Sequence, residues 1–191
     1  MKNMLTLLCI LIFQDLGHSI LLCKESFLQE GAKVSEILQI YERIVICKNC
    51  IDNTFGGFLF LLISLDLLSA FANITVVLGY ETGKFRNSES LYCMNIFSIV
   101  NFSIFIYLLI AAADVNEKDK SFRNEIYLYV FKRRVRNIPN ECALDIIAFG
   151  HESVAFSASG YFSFTKGFIL TVIGGLLTYS LLLNQLQTLE N

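Results

Sequence analysis

Apolar residues fall along this chain in long blocks, not in the alternation of a half-buried strand or the narrow stripe of a soluble helix. Three blocks pass the roughly 18 residues that a membrane-crossing helix needs. They cover 55–80, 91–113 and 164–185 and predict three transmembrane helices. A short loop, 81–90, joins the first two, and a longer segment, 114–163, joins the second to the third, leaving a tail at 186–191. The fold class that follows is all-α, a polytopic membrane protein whose remaining segments add helices beside the bilayer.

Before the first block the pattern changes. Residues 33–52 place Val34, Ile37, Leu38, Tyr41, Ile44 and Val45 at helical spacing, which predicts an amphipathic helix. The extreme N-terminus has an apolar stretch at 4–13, interrupted by Gln14, Asp15 and His18. Ten residues are too few to span, and no clean small-residue cleavage site follows. Segment 1–54 is therefore expected to hold cytoplasmic or membrane-proximal helices, beginning with the end of a preceding span; a signal peptide is the alternative. In 114–163, the run 126–135 is apolar and aromatic and then basic. Pro139, the single proline, ends it, and Asn140 is placed to cap a next helix through Ala143, Ile146, Ile147 and Val154.

Composition agrees with the blocks. Apolar residues make up 54% of the 191 and charged residues only 17%, against about 25% in soluble domains. A net charge of −2 speaks against a strongly basic nucleic-acid binder. The distribution of Lys and Arg sets orientation. The stretches 24–52 and 114–166 hold twelve basic residues, whereas 81–90 holds only Lys84 and Arg86. The long segments are thereby assigned to the cytoplasm, and the 81–90 loop and the C-terminus to the outside.

Polar residues within the blocks are the candidates for function, because a polar group in hydrocarbon usually faces protein or water. Asp66, Ser69 and Asn73 share a face of the first span. A lone carboxylate there costs on the order of 2.5–3.5 kcal/mol, so Asp66 either borders an ion or ligand path or forms a clasp between helices. Asn95, Ser98 and Asn101 spread over an arc of the second span. In the third, Thr171, Gly174, Thr178 and Gln185 form a small-or-polar stripe, with Gly175 beside it and Tyr179 and Asn184 at the far end. The two glycines permit close packing or bending. Asn73-Ile-Thr75 and Asn101-Phe-Ser103 fit the glycosylation pattern but lie inside spans.

Other chemistry is not indicated. Six cysteines are scattered, and Cys47-Lys-Asn-Cys50 has neither a second pair at zinc spacing nor a βαβ context. The only histidines, His18 and His151, belong to no metal or nucleophile motif, and no phosphate loop or nucleophile elbow occurs. No enzyme activity, cofactor or metal is expected.

The last span carries a resemblance. Thr178-Tyr179-Ser180-Leu181-Leu182-Leu183-Asn184-Gln185, preceded by "SASGYFSFTK", resembles the C-terminal signature of arthropod gustatory receptors, a Thr-Tyr pair followed at fixed spacing by Gln. Asn184 and Leu186 depart from the apolar residue and Phe usual in that family. The resemblance implies a ligand-gated, nonselective cation channel in the plasma membrane. Such channels are homo- or hetero-tetramers that respond to a small-molecule tastant, surrounded by membrane lipid, with the last helix lining the pore. It makes Thr178, Tyr179 and Gln185 the pore or gate candidates. Members have seven spans, so this chain is expected to correspond to the last three, as part of a longer receptor. The competing expectations are an accessory or assembly membrane protein and a transporter fragment using Asp66.

Overall fold

The computed structural model describes residues 2–29, 34–80, 88–135, 156–158 and 160–189. Among them are four helices, α1 Lys2–Leu28, α2 Val34–Tyr80, α3 Ser88–Val135 and α4 Lys166–Leu189. Three have the length and apolar content to cross a membrane, over Asn3–Leu28, Val34–Ile74 and Ile96–Lys132, and α4 has a shorter apolar stretch, Lys166–Leu182. The protein is all-helical, as its apolar blocks require.

The helices are longer than the blocks. α2 has 47 residues and α3 has 48. At about 1.5 Å per residue each is roughly 70 Å long, more than twice a hydrocarbon core of about 30 Å. Each runs through a boundary that hydropathy alone places at 54/55 or 113/114. Neither boundary has a proline, and Gly56 and Gly57, just past the first, are carried within the helix of α2. α2 thus unites the amphipathic segment with the first apolar block, and α3 continues the second block into a charged extension.

α1 runs parallel to α3. Asn3 donates its amide to Asn101 at 3.0 Å, Gln14 to the Tyr107 hydroxyl at 2.8 Å and Lys24 to the Ser121 hydroxyl at 2.7 Å. Further along, Phe27 packs edge-on against Phe122 and Tyr129. This register sets the first half of α1 beside the apolar run of α3 and the second half beside its charged extension. The polar break at Gln14 to His18 falls where that apolar run ends, so the residues that interrupt the hydrophobic pattern do not interrupt the helix.

α2 returns antiparallel to both. Its inner face is the amphipathic stripe read from the sequence: Ile37, Leu38, Tyr41, Ile44 and Val45 are all buried. The core joins these to Ile10, Phe13 and Ile20 of α1 and to Leu108, Leu109, Val115 and Phe122 of α3. Edge-to-face aromatic pairs such as Tyr41 with Phe122 contribute about 0.5–1.5 kcal/mol beyond the area they bury.

Residues 156–158 and 160–164 form no helix; they make a tight reversal beneath α4. Ser157 and Ser163 form an antiparallel bridge, and Phe164 N–H donates to the Phe156 carbonyl at 3.1 Å. Gly160 has φ of 77°, which a residue with a Cβ rarely adopts. The helix expected through 143–154 lies outside the described residues.

Candidate functional site

Thr165 opens α4. Its hydroxyl accepts the Phe168 N–H at 3.1 Å, a side-chain cap on the first turn. From there α4 packs on α2 and α3 along one edge, where Leu176 and Ser180 are buried and Phe168, Ile169 and Val172 adjoin the core. These positions recur at steps of four, a single helical face.

The stripe singled out from the sequence lies on the other side. Thr171, Gly174, Thr178 and Gln185 are exposed, and Tyr179 is 64% exposed. A methyl group added at Gly174 or Gly175 would meet nothing within 4 Å. Packing against the described residues therefore does not account for the glycines. The hydroxyls on this face are satisfied locally, Thr171 donating to the Gly167 carbonyl at 3.0 Å and Thr178 to the Gly174 carbonyl at 2.8 Å. Such bonds remove most of the penalty of placing a hydroxyl in an apolar medium, and they bend helices slightly.

The other intramembrane candidates do not join this stripe. Asp66 is 7% exposed, on the inner face of α2 among Leu62, Ile63 and Ala70. Asn73 lies one turn beyond Ser69 and donates to its hydroxyl at 3.5 Å, while Asn101 is engaged by Asn3 of α1. The side chains of Asn95 and Asn184 lie outside the described residues.

Sequence reading missed the polar network below the apolar runs. On α3, Val115, Asp119, Phe122 and Ile126 occupy one inner face. Asp119 is fully buried; its carboxylate accepts the Tyr41 hydroxyl from α2 and pairs with Arg123 at 2.8 Å one turn on. A buried carboxylate requires such partners. The signal was present in the sequence as a charged residue at an inner position of a helical stripe.

A second cluster ties the reversal to the bundle. Asp52 of α2 pairs with Lys48 at 3.1 Å and accepts from both the backbone N–H and the hydroxyl of Ser157. Phe13 of α1 packs on Phe156 at 4.6 Å, and Phe60 of α2 on Tyr161 at 4.8 Å. Phe162 then stacks on Phe168, the first aromatic of α4, at 4.4 Å and 11°. α2 thus meets the base of α4 through packed rings, and α1 meets it through Phe156, whose carbonyl is bonded to the Phe164 N–H. An ion pair between Lys166 and Glu117, 2.6 Å, joins the base of α4 to α3.

Cys47 and Cys50 are free and exposed on α2, one turn apart.

Comparison with known proteins bears on the part of the chain that holds the stripe. No curated protein matches the sequence. A family model described as "Trehalose receptor" matches residues 92–191, which takes in nearly all of α3, the aromatic reversal and the whole of α4. With that match over more than half its length, the Thr-Tyr and Gln positions of α4 included, the chain belongs to the trehalose receptor family, a family of insect gustatory receptors, and corresponds to a C-terminal portion of such a receptor.

Proposed function

We propose that this chain is part of a chemosensory channel subunit in the plasma membrane, with α4 facing the conduction path of an assembly of several subunits. One observation carries the reading: the small-and-polar face of α4 is exposed, turned away from the edge that packs on α2 and α3 among the described residues. An exposed face kept small and polar suits a water-filled path or a close approach to another subunit. Lipid alone gives no reason for Thr171, Gly174, Thr178 and Gln185 to align.

In mechanism, a stimulus shifts a closed–open equilibrium only as far as it binds the two states differently. The rings of Phe60, Phe162 and Phe168 provide a route by which a shift in α2 reaches α4, and α1 joins it through Phe13 on Phe156, whose carbonyl accepts the Phe164 N–H. The base network around Tyr41, Asp119 and Arg123 is the fixed point against which α4 moves. Asp66 serves as a clasp within the bundle, consistent with its burial among apolar side chains. The family's description makes a disaccharide such as trehalose the first tastant to try.

The test is to record currents from cells expressing the receptor that carries this chain, with Gln185→Ala and Thr178→Ala. Altered conductance or ion selectivity supports the reading; unchanged conductance and selectivity at equal surface expression removes both residues from the path. The transporter alternative is separated by Asp66→Asn. Loss of coupled transport supports a transporter, whereas lowered surface expression alone supports the clasp.

A further inference from the structure

A pocket of about 490 Å³ opens between α1, α3 and α4, at the level where the apolar run of α3 gives way to charge. Its size falls within the usual range of ligand sites, roughly 300–1,000 Å³. Tyr107, Ile110 and Ile169 form a wall on the membrane side, and Asp114, Lys118 and Lys166 form the opposite rim. Hydrophobic wall and charged rim meet at the depth of the hydrocarbon–headgroup boundary, since Asp114 is the first charged residue after the α3 run and Lys166 the last before that of α4.

The rim carries both signs. Lys118 pairs with Asp114 at 2.7 Å, and Lys166 pairs with Glu117 at 2.6 Å. Basic clefts at this depth recognise polyanionic headgroups by an excess of positive charge. Here each ammonium is matched by a carboxylate, so a polyanion would meet repulsion as well as attraction. Alternating charges fit a zwitterion, with a phosphate against Lys118 and Lys166 and a cation against Asp114, while Glu117, which is not part of the lining, pairs with Lys166. Asp114, Lys118 and Lys166 are partly exposed, so each can turn toward a ligand. A primary ammonium offers three N–H donors to a carboxylate, whereas a quaternary ammonium offers none.

We propose that this pocket is a binding site for a phospholipid with a phosphoethanolamine headgroup, drawn from the leaflet that faces the charged extension of α3. Its acyl chain lies along Ile110, Tyr107 and Ile169. Gln14, held on the Tyr107 hydroxyl, closes the α1 side. The lipid bridges three helices at the foot of α4, independently of whether α4 lines a pore.

The experiment uses the full chain in detergent, titrated with phosphatidylethanolamine, phosphatidylcholine or phosphatidylglycerol of identical acyl chains while thermal unfolding is followed. Phosphatidylethanolamine is expected to raise the Tm most. The Lys118→Gln/Lys166→Gln double variant is expected to weaken its apparent affinity by about tenfold or more, the loss of at least one charge-assisted hydrogen bond. Equal effects of the three lipids, a stronger effect of phosphatidylglycerol, or an undiminished effect in the double variant overturns the proposal. Should the variant fail to fold, cross-linking of the wild type with a headgroup-diazirine phosphatidylethanolamine decides. Label on peptides containing Lys118 or Lys166 supports the site, and label spread over the other helices rejects it.

Discussion

Tyr41 of α2 donates its hydroxyl to the carboxylate of Asp119 on α3, 78 positions later in the chain, and neither residue has any exposed surface. Tyr41→Phe keeps the ring in place against Phe122 but withdraws a donor from a buried carboxylate. The expected cost is about 1–3 kcal/mol. Thermal unfolding in detergent should show a lowered Tm for this variant and little change for Tyr161→Phe, whose ring is largely exposed.

The aromatic reversal is anchored by Phe156, which is fully buried against Phe13. Phe156→Ala opens a cavity where three segments meet, and large-to-small changes of this kind cost about 3–5 kcal/mol. Because the same reversal carries Phe162 onto Phe168, the variant should also alter gating. Dose–response curves measured at equal surface expression are expected to shift, whereas a change in protein abundance alone would confine Phe156 to stability.

Asp52 holds the reversal by two hydrogen bonds to Ser157 in addition to its pair with Lys48. Asp52→Ala should loosen 157–164 more than the helices around it. Hydrogen exchange read by peptide is the check, with faster exchange expected for the amides of Ala158, Tyr161 and Phe164, which bond within the reversal. Unchanged protection there would mean that ring packing alone keeps it closed.

Much of this architecture was legible in the sequence because hydrophobic period and block length are local quantities. The stripe from Val34 to Val45 marked the buried face of α2, and the apolar runs fall within α2, α3 and, from Lys166 on, α4. The apolar stretch at 4–13, by contrast, is only part of α1, a helix long and apolar enough to cross over Asn3–Leu28. The Thr178-Tyr179 to Gln185 spacing pointed to the family that the comparison over 92–191 supports. Period does not say which element a face will meet. The parallel pairing of α1 with α3, the partner of Asp119 and the docking of Ser157 on Asp52 are contacts across 98, 78 and 105 positions. Hydropathy also ends a span where charge begins, although a helix ends only where its backbone is given cause. That is why α2 and α3 run on past the predicted boundaries. The outward direction of the α4 stripe depended on which edge the steps of four from Phe168 to Ser180 would bury, and both edges are apolar enough to have served.

Gly174 has open space around it among the described residues. Gly174→Leu should therefore leave the thermal stability of the isolated chain within about 0.5 kcal/mol, as for surface substitutions away from special features. It should impair assembly or current if another subunit approaches this face closely. Size-exclusion profiles and whole-cell currents from the same variant separate these effects. A lower Tm of the isolated chain with normal assembly would place the packing partner inside the chain.

The most direct measurement of the central claim is the accessibility of α4 in the conducting state. Thr178→Cys and Leu176→Cys are to be introduced separately, and a membrane-impermeant thiol reagent applied from outside during stimulation, with wild type as the control for its exposed native cysteines. If the outward stripe lines the path, current through Thr178→Cys falls irreversibly as the reagent reacts, faster with stimulus than without, while Leu176→Cys behaves as wild type. Current through Thr178→Cys that stays at the wild-type level under the reagent, at normal expression, contradicts the account.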